Sequence, residues 1–174
     1  VKSSGIDHLT GTAKSANMKI ITRPMTADDI PFITRWMIQV PLWQRYRLDE
    51  QKTRQQLEAA LRSQDILLVA DTDLGARACG FTWVMPKGGF GRAYLRLIGV
   101  QPGHTGAGIG TALLDETERI TAGISKGLFL LVSDFNTDAQ RFYRRHGYRQ
   151  VGAVPAYVLP DVAEFIFYKS LPGP

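Results

Sequence analysis

The chain has 174 residues, 44% of them hydrophobic and 21% charged, which fits one domain able to bury roughly 70% of its unfolded surface without disulfide or metal staples. That composition excludes collagen-like, coiled-coil and bulk-disordered chains. Its longest apolar runs, such as Leu128 to Val132, fall well short of the ~20 residues of a membrane span. A single cysteine, Cys79, excludes an intramolecular disulfide and points to a reducing, cytoplasmic setting, and a net charge of +5 with no basic run disfavours duplex nucleic acid.

Residues 1–17, VKSSGIDHLTGTAKSAN, are rich in Ser, Thr, Gly and Ala and lack both hydrophobic periodicity and a signal-peptide h-region. They are expected to be an expression leader or a disordered tail ahead of Met18, with a single domain over 18–174. Lys19 to Arg23 then reads as a strand stopped by Pro24. Thr26 with Asp29 three positions on reads as a helix start, and that helix runs to about Met37. Gln51 to Arg62 forms a second helix. Ile66 to Asp71, Ala78 to Met85 and Ala93 to Val100 are strands, with turns at Thr72 to Gly75 and Pro86 to Gly89. A Gly-rich loop, Gly103 to Gly110, opens a helix to about Ala122. Leu128 to Val132 is a buried strand, and Asn136 starts a helix ended by Gly147. Arg149 to Tyr157 and Val162 to Lys169 are the last two strands. This order predicts an α/β (α+β) fold: a mixed, mostly antiparallel sheet of about seven strands with about four helices, parallel only across the Gly-rich loop.

The first chemical signal is the run from Leu97 to Leu114, in which a strand feeds a loop of small residues and the loop feeds an amphipathic helix. Its backbone amides and helix dipole make an anion site. It is not a Walker loop, because Gly110 is followed directly by Thr111. Nor is it a dinucleotide fingerprint, because Gly106, Gly108 and Gly110 alternate rather than follow GxGxxG. A plain turn with helix entry is the alternative. The second signal runs from Val132 to Tyr148: a buried strand ends in polar residues, and an Asn-capped helix carries Ala139, Phe142 and Tyr143. Both helices follow adjacent strands, so their N-terminal ends flank one cleft. A core role for Tyr143 is equally compatible with the periodicity.

Together these segments resemble the GNAT superfamily of acyl-CoA-dependent N-acetyltransferases. Val100, Pro102, Gly106, Gly108, Ile109 and Gly110 match its V-x-P-x-x-x-G-x-G-I-G pattern. Asn136, Ala139, Phe142, Tyr143, Gly147 and Tyr148 match its N-x-x-A-x-x-F-Y-x-x-x-G-F/Y pattern. The resemblance implies acetyl-CoA as co-substrate, with no metal. It implies a bulged strand splayed from its neighbour, whose Ile98, Gly99 and Val100 pair with the pantetheine arm. The amides of Thr105, Gly106, Ala107, Gly108, Ile109, Gly110 and Thr111 would then hold the pyrophosphate. Asn136 and Tyr143 would reach the pantetheine and the sulfur. The family usually carries Arg or Gln where Thr105 and Gly106 stand here, so Arg141, Arg144 or Arg145 would help the phosphates instead.

The implied reaction is direct attack of a neutral amine on the thioester, with Tyr143 donating to the departing thiolate. A Lys-like amine at pH 7 lies about 3.4 units below its pKa, so losing its proton costs about 4.6 kcal/mol and calls for a base or water chain. The two strands flanking the gap contain no carboxylate. Strict alternation puts Tyr94, Arg96 and Ile98 on one face of the first and Leu95, Leu97 and Gly99 on the other. Asp134 and Glu164 are the remaining base candidates, each equally readable as a cap or a solvated charge. Trp36, Trp43, Tyr46, Trp83, Tyr94 and Tyr157 are candidate linings for an acceptor site between the first helices and the final hairpin. A small-molecule amine is the expected acceptor. A protein N-terminus or lysine, or a non-catalytic acyl-CoA sensor, are the alternatives. No nucleic-acid or membrane partner is expected, and a homodimer is left open.

Overall fold

A computed structural model describes residues 18–173; the leader expected at 1–17 lies outside them. Seven strands form one sheet in the order β1-β2-β3-β4-β5-β7-β6. They are β1 (Ile20–Pro24), β2 (Ile66–Thr72), β3 (Gly80–Gly89), β4 (Arg92–Val100), β5 (Gly127–Ser133), β6 (Arg149–Pro155) and β7 (Ala163–Ser170). Five α-helices accompany them: α1 (Ile30–Met37), α2 (Pro41–Arg45), α3 (Glu50–Leu61), α4 (Ile109–Ala122) and α5 (Thr137–Arg145), with a 3-10 turn at Ala27–Asp29 before α1. Every strand pair is antiparallel except β4–β5, which is parallel across α4 as expected. No described helix is long and apolar enough to cross a membrane.

Alternation along β3 separates two cores. Phe81 and Trp83 point to one face, where Trp36, Met37, Trp43 and Leu57 of α1–α3 cover them. Gly80 and Thr82 point to the other: a β-carbon at Gly80 would strike Ile109 and Leu113 of α4, and the Thr82 hydroxyl meets that of Thr117 at 3.0 Å. On this second face Leu114 and Tyr143 pack with Leu95, Leu128, Leu130 and Phe167.

Three details depart from the reading of the sequence. A short helix, α2, lies between the two helices expected at the start of the chain. Pro41 pre-sets its first turn and Trp43 anchors it in the core. β3 continues through Pro86 to Gly89, and the reversal falls at Phe90–Gly91, with φ of 49° and 74°. Two consecutive left-handed residues match the twist of the flanking strands, which a turn at Pro86 would not. The third departure is in β4. Trp83 pairs with Leu97 but Val84 pairs with Leu95, so Arg96 is an extra, bulged residue. Leu95 and Leu97 therefore lie on opposite faces: Leu95 joins the α4–α5 core and Leu97 the α1–α3 core. The strict alternation expected for this strand breaks at Arg96.

The 3-10 turn before α1 is tied to the sheet by Asp29, which is fully buried. Its carboxylate accepts from Arg23 at 2.7 and 2.9 Å, from the Thr26 amide and hydroxyl at 2.9 Å, and from Arg77 at 3.1 Å. Burial opposes the charge, but the Arg23 pair and the Thr26 donors outweigh it and hold the carboxyl well below the usual carboxylate range. A depressed folded pKa stabilises the fold at pH values above the unfolded value of ~3.9, and this is lost as pH falls toward the folded one. Asp29→Ala is expected to lower the stability measured by urea unfolding at pH 7 by about 3 kcal/mol. The gap between variant and wild type should narrow below about pH 4.

Candidate active site

β4 and β5 touch only at their beginnings. Ala93, Tyr94 and Leu95 pair with Leu128, Phe129 and Leu130. Beyond the Arg96 bulge, Leu97 to Val100 pair only with β3, and Leu131 to Ser133 pair only with β7. The strands diverge, and main-chain groups of Ile98, Gly99 and Val100 on the β5 side have no strand to pair with. A cleft of about 570 Å³ opens there. It is lined by all three of these residues, by the α4 entry loop, by α5, and by Val40, Leu42 and Trp43 from the α2 region. Gly99 is required at its floor, because a β-carbon would collide with the Trp43 ring.

The mouth of α4 forms one wall. Gly106 and Gly108 adopt φ of 80° and 86°, a backbone that non-glycine residues rarely take. The space a β-carbon of Gly106 would fill is open. Among the described residues, the amides of Thr105, Gly106, Ala107 and Gly108 donate no backbone hydrogen bond. Those of Ile109, Gly110 and Thr111 are free as the first turn of a helix requires. No acidic residue sits in that turn. The wall is thus a set of unpaired donors with the positive end of a helix dipole behind it. Thr105, Gly106, Gly108, Gly110 and Thr111 line the cleft. Ala107 and Ile109 do not: Ala107 is exposed, and the Ile109 side chain is buried in the core with Leu68 and Cys79, leaving only its amide available.

α5 forms the opposite wall. The Asn136 side-chain oxygen, Oδ1, accepts from the Ala139 amide at 3.2 Å and caps the helix, while the residue still faces the cleft. The C-terminus closes as a Schellman motif: the Tyr148 amide donates to the Tyr143 carbonyl at 3.1 Å and the Gly147 amide to the Arg144 carbonyl at 3.1 Å, with Gly147 at φ 85°. The Tyr148 ring packs edge-on against Tyr143, centroids 5.5 Å apart, and Phe142 does so at 5.3 Å. Tyr143 is thereby clamped, buried, and at the edge of the cleft. Burial, then the nearby Tyr94 phenol, push its ionisation upward. It is a hydrogen-bond donor throughout the neutral range. Of the three arginines expected to help with phosphates, only Arg145 lines the cleft. Arg141 is paired with Asp138, and Arg144 lies over the Phe167 ring and bonds Gln150.

The aromatic residues divide differently from expectation. Trp36 and Trp83 are core, their indole N–H groups donating to the Ala78 carbonyl at 3.1 Å and to Asp65 at 2.8 Å. Trp43 is packed in the α1–α3 core and also lines the cleft. Tyr157 is 63% exposed in the β6–β7 connection. Tyr46 and Tyr94 belong to a polar group on the α1–α3 face. The Tyr46 hydroxyl donates to Glu164 and lies 2.6 Å from the Ser133 hydroxyl. Burial and the Glu164 contact push the Tyr46 phenol up to about 12, and burial pushes Tyr94 up to about 12. Glu164 is 5% exposed. Asp134, the other base candidate, accepts from the Ala163 amide at 3.1 Å and so caps the start of β7. The contributions of Val40 and Leu42 to the cleft carry no motif; only the path of the chain through α2 across it reveals them.

Residues 63–150 match the family described as the acetyltransferase (GNAT) domain. A mycothiol acetyltransferase of Kineococcus radiotolerans is 32% identical over 113 residues, which are 65% of this chain and 35% of that protein; the match thus spans about a third of the relative's length. Among solved structures, Ard1 from Thermoplasma volcanium superposes with a TM-score of 0.73 at 20% identity, over 87% of this chain and 97% of that one. An aminoglycoside 6'-N-acetyltransferase complexed with coenzyme A superposes with a TM-score of 0.71 at 18% identity, over 88% and 99%. The divergent strands, the glycine-lined helix mouth and the family match agree, and the chain belongs to the GNAT acetyltransferase family.

Proposed function

We propose that this chain transfers the acetyl group of acetyl-CoA to a primary amine of a small molecule by direct attack. The observation that carries this reading is the parting of β4 from β5 after three residue pairs, beside a helix mouth with unpaired amides. A pantetheine arm is a secondary-amide chain and needs main-chain partners, which Ile98, Gly99 and Val100 offer along the gap. A pyrophosphate needs clustered donors close to backbone, which the Thr105 to Thr111 segment offers. The donor set of the cleft therefore suits coenzyme A. The acceptor class rests on the sequence reading and on the small-molecule acceptor named for the aminoglycoside relative.

Coenzyme A supplies the acetyl group as an activated thioester. A main-chain amide in the Ile98 to Val100 stretch would hold the carbonyl oxygen as it gains charge, a donor aimed before the reaction begins. Tyr143 would donate to the sulfur as the C–S bond breaks. A free phenol near 10 and a free thiol near 8.5 already make full proton transfer uphill by about 2 kcal/mol. Burial of Tyr143 raises this further, so its role is to stabilise the thiolate by hydrogen bonding. Arg145 and His104, both at the cleft, would face the phosphates.

Titration calorimetry with coenzyme A is expected to show one site per chain. Gly106→Val, which places a branched side chain in the amide cradle and strains a left-handed residue, should weaken that binding at least tenfold. Tyr143→Phe should lower turnover on the order of 100-fold while coenzyme A affinity changes less than about threefold. Unchanged turnover would remove Tyr143 from the reaction. A free-thiol release screen against small amines, amino acids, polyamines, aminoglycosides and peptides tests the acceptor class; peptides alone as substrates would replace the small-molecule reading with a protein one.

A further inference from the structure

We infer that the buried Glu164 carboxylate binds the acceptor's ammonium group and takes its proton, so that the acceptor is an aliphatic amine, cationic at neutral pH; this rests on the acetyl-transfer reading above. None of the ion pairs among the described residues includes Glu164. A buried carboxylate without a cation is costly. The nearest arginine in sequence to its hydroxyl partner, Arg45, is engaged elsewhere: it pairs with Asp161 at 3.1 Å and lies over the Phe135 ring at 3.9 Å. Tyr46 donates to Oε1 only, and no described residue donates to Oε2. Oε2 is nonetheless not among the sealed-off polar atoms without a partner. One oxygen is therefore held by the protein and the other is within reach of a ligand.

The placement suits the reaction. Glu164 sits opposite Ser133, at the end of β5 beyond its last pairing with β4. It is three residues from Phe167, which packs against Tyr143, so alternation along β7 puts Glu164 on the α1–α3 face and Tyr143 on the other. The Tyr94 phenol, on β4, is close enough to be influenced by Glu164 and to influence Tyr143. An amine held at Glu164 and a thioester beside Tyr143 thus approach one another through the gap from opposite faces of the sheet. Asp134 is the weaker choice: its carboxylate caps the Ala163 amide and is only partly buried, whereas Glu164 is buried. The step balances. The ammonium gives one proton to Glu164, its nitrogen pair forms the C–N bond, and the C–S bond breaks. The second nitrogen proton ends on the thiolate, and the Glu164 proton leaves to solvent. The products are the acetamide, the free thiol and one proton.

The test uses the full chain saturated with coenzyme A, with calorimetric titration at pH 7 of 1,4-diaminobutane, 2-phenylethylamine and an alanine-initiated tetrapeptide, against wild type, Glu164→Gln and Glu164→Asp. At least one of these cations should bind wild type. Glu164→Gln should weaken it at least tenfold, and Glu164→Asp, which keeps the charge, should recover part of the loss. Coenzyme A affinity should stay within about twofold in all three proteins, reporting an intact fold. Equal amine affinity in wild type and Glu164→Gln, or no amine binding by wild type, overturns the assignment of Glu164 and leaves the acetyl-transfer reading standing. Failure of coenzyme A itself to bind wild type overturns both.

Discussion

The extra residue at Arg96 is the constraint on which the site depends. A regular β4 would keep one set of side chains on each face and could continue its ladder with β5 to the end. The bulge instead exchanges the faces midway, so that Leu95 belongs to the α4–α5 core while Leu97 and Gly99 belong to the α1–α3 core. A return to regular register would turn Leu97 to the α4–α5 face, away from the α1–α3 core it packs against. The bulge also bends the strand, as bulges do, and the β4–β5 ladder stops at Leu95 just before it.

Around that gap the rest of the fold places donors. α4 and α5 both begin where a strand of the diverging pair has just ended, so two helix N-termini face the same cleft. Their fixings differ. α4 starts on a left-handed Gly108 with no side-chain cap, which leaves its first amides free for a ligand. α5 starts on Asn136, whose side chain caps its own helix, and its phenol at the cleft lies toward the other end. There the Schellman turn at Gly147 brings Tyr148 against Tyr143 and holds the phenol at the edge of the cleft.

The two faces of the sheet carry different electrostatics near the gap. On the α4–α5 side stand the open amides, His104, Arg145 and a phenol kept neutral by burial. On the other side stands a buried carboxylate supported by Tyr46 and Ser133. In the proposed reaction a phosphate-bearing ligand and a cationic amine would therefore meet from opposite sides of one opening.

The order of elements, the single parallel pair and the two motif segments were legible in the residues, because they rest on local signals: hydrophobic period, glycine at left-handed positions, and an Asn and a Gly at the ends of a helix. Gly106, Gly108, Asn136 and Gly147 each do what their chemistry permits whatever the surroundings, and the turn residues Phe90 and Gly91 escaped notice only because Pro86 is a louder local signal. Long-range packing decided the rest. Which face Leu97 takes depends on β3 opposite it; whether Trp43 lines the cleft depends on the path of α2; and whether Glu164 is a solvated charge or a buried one depends on Tyr46 and Ser133, 118 and 31 positions away in the chain. A residue's type states which interactions it can make, whereas burial and the absence of a counter-ion are properties of everything packed around it.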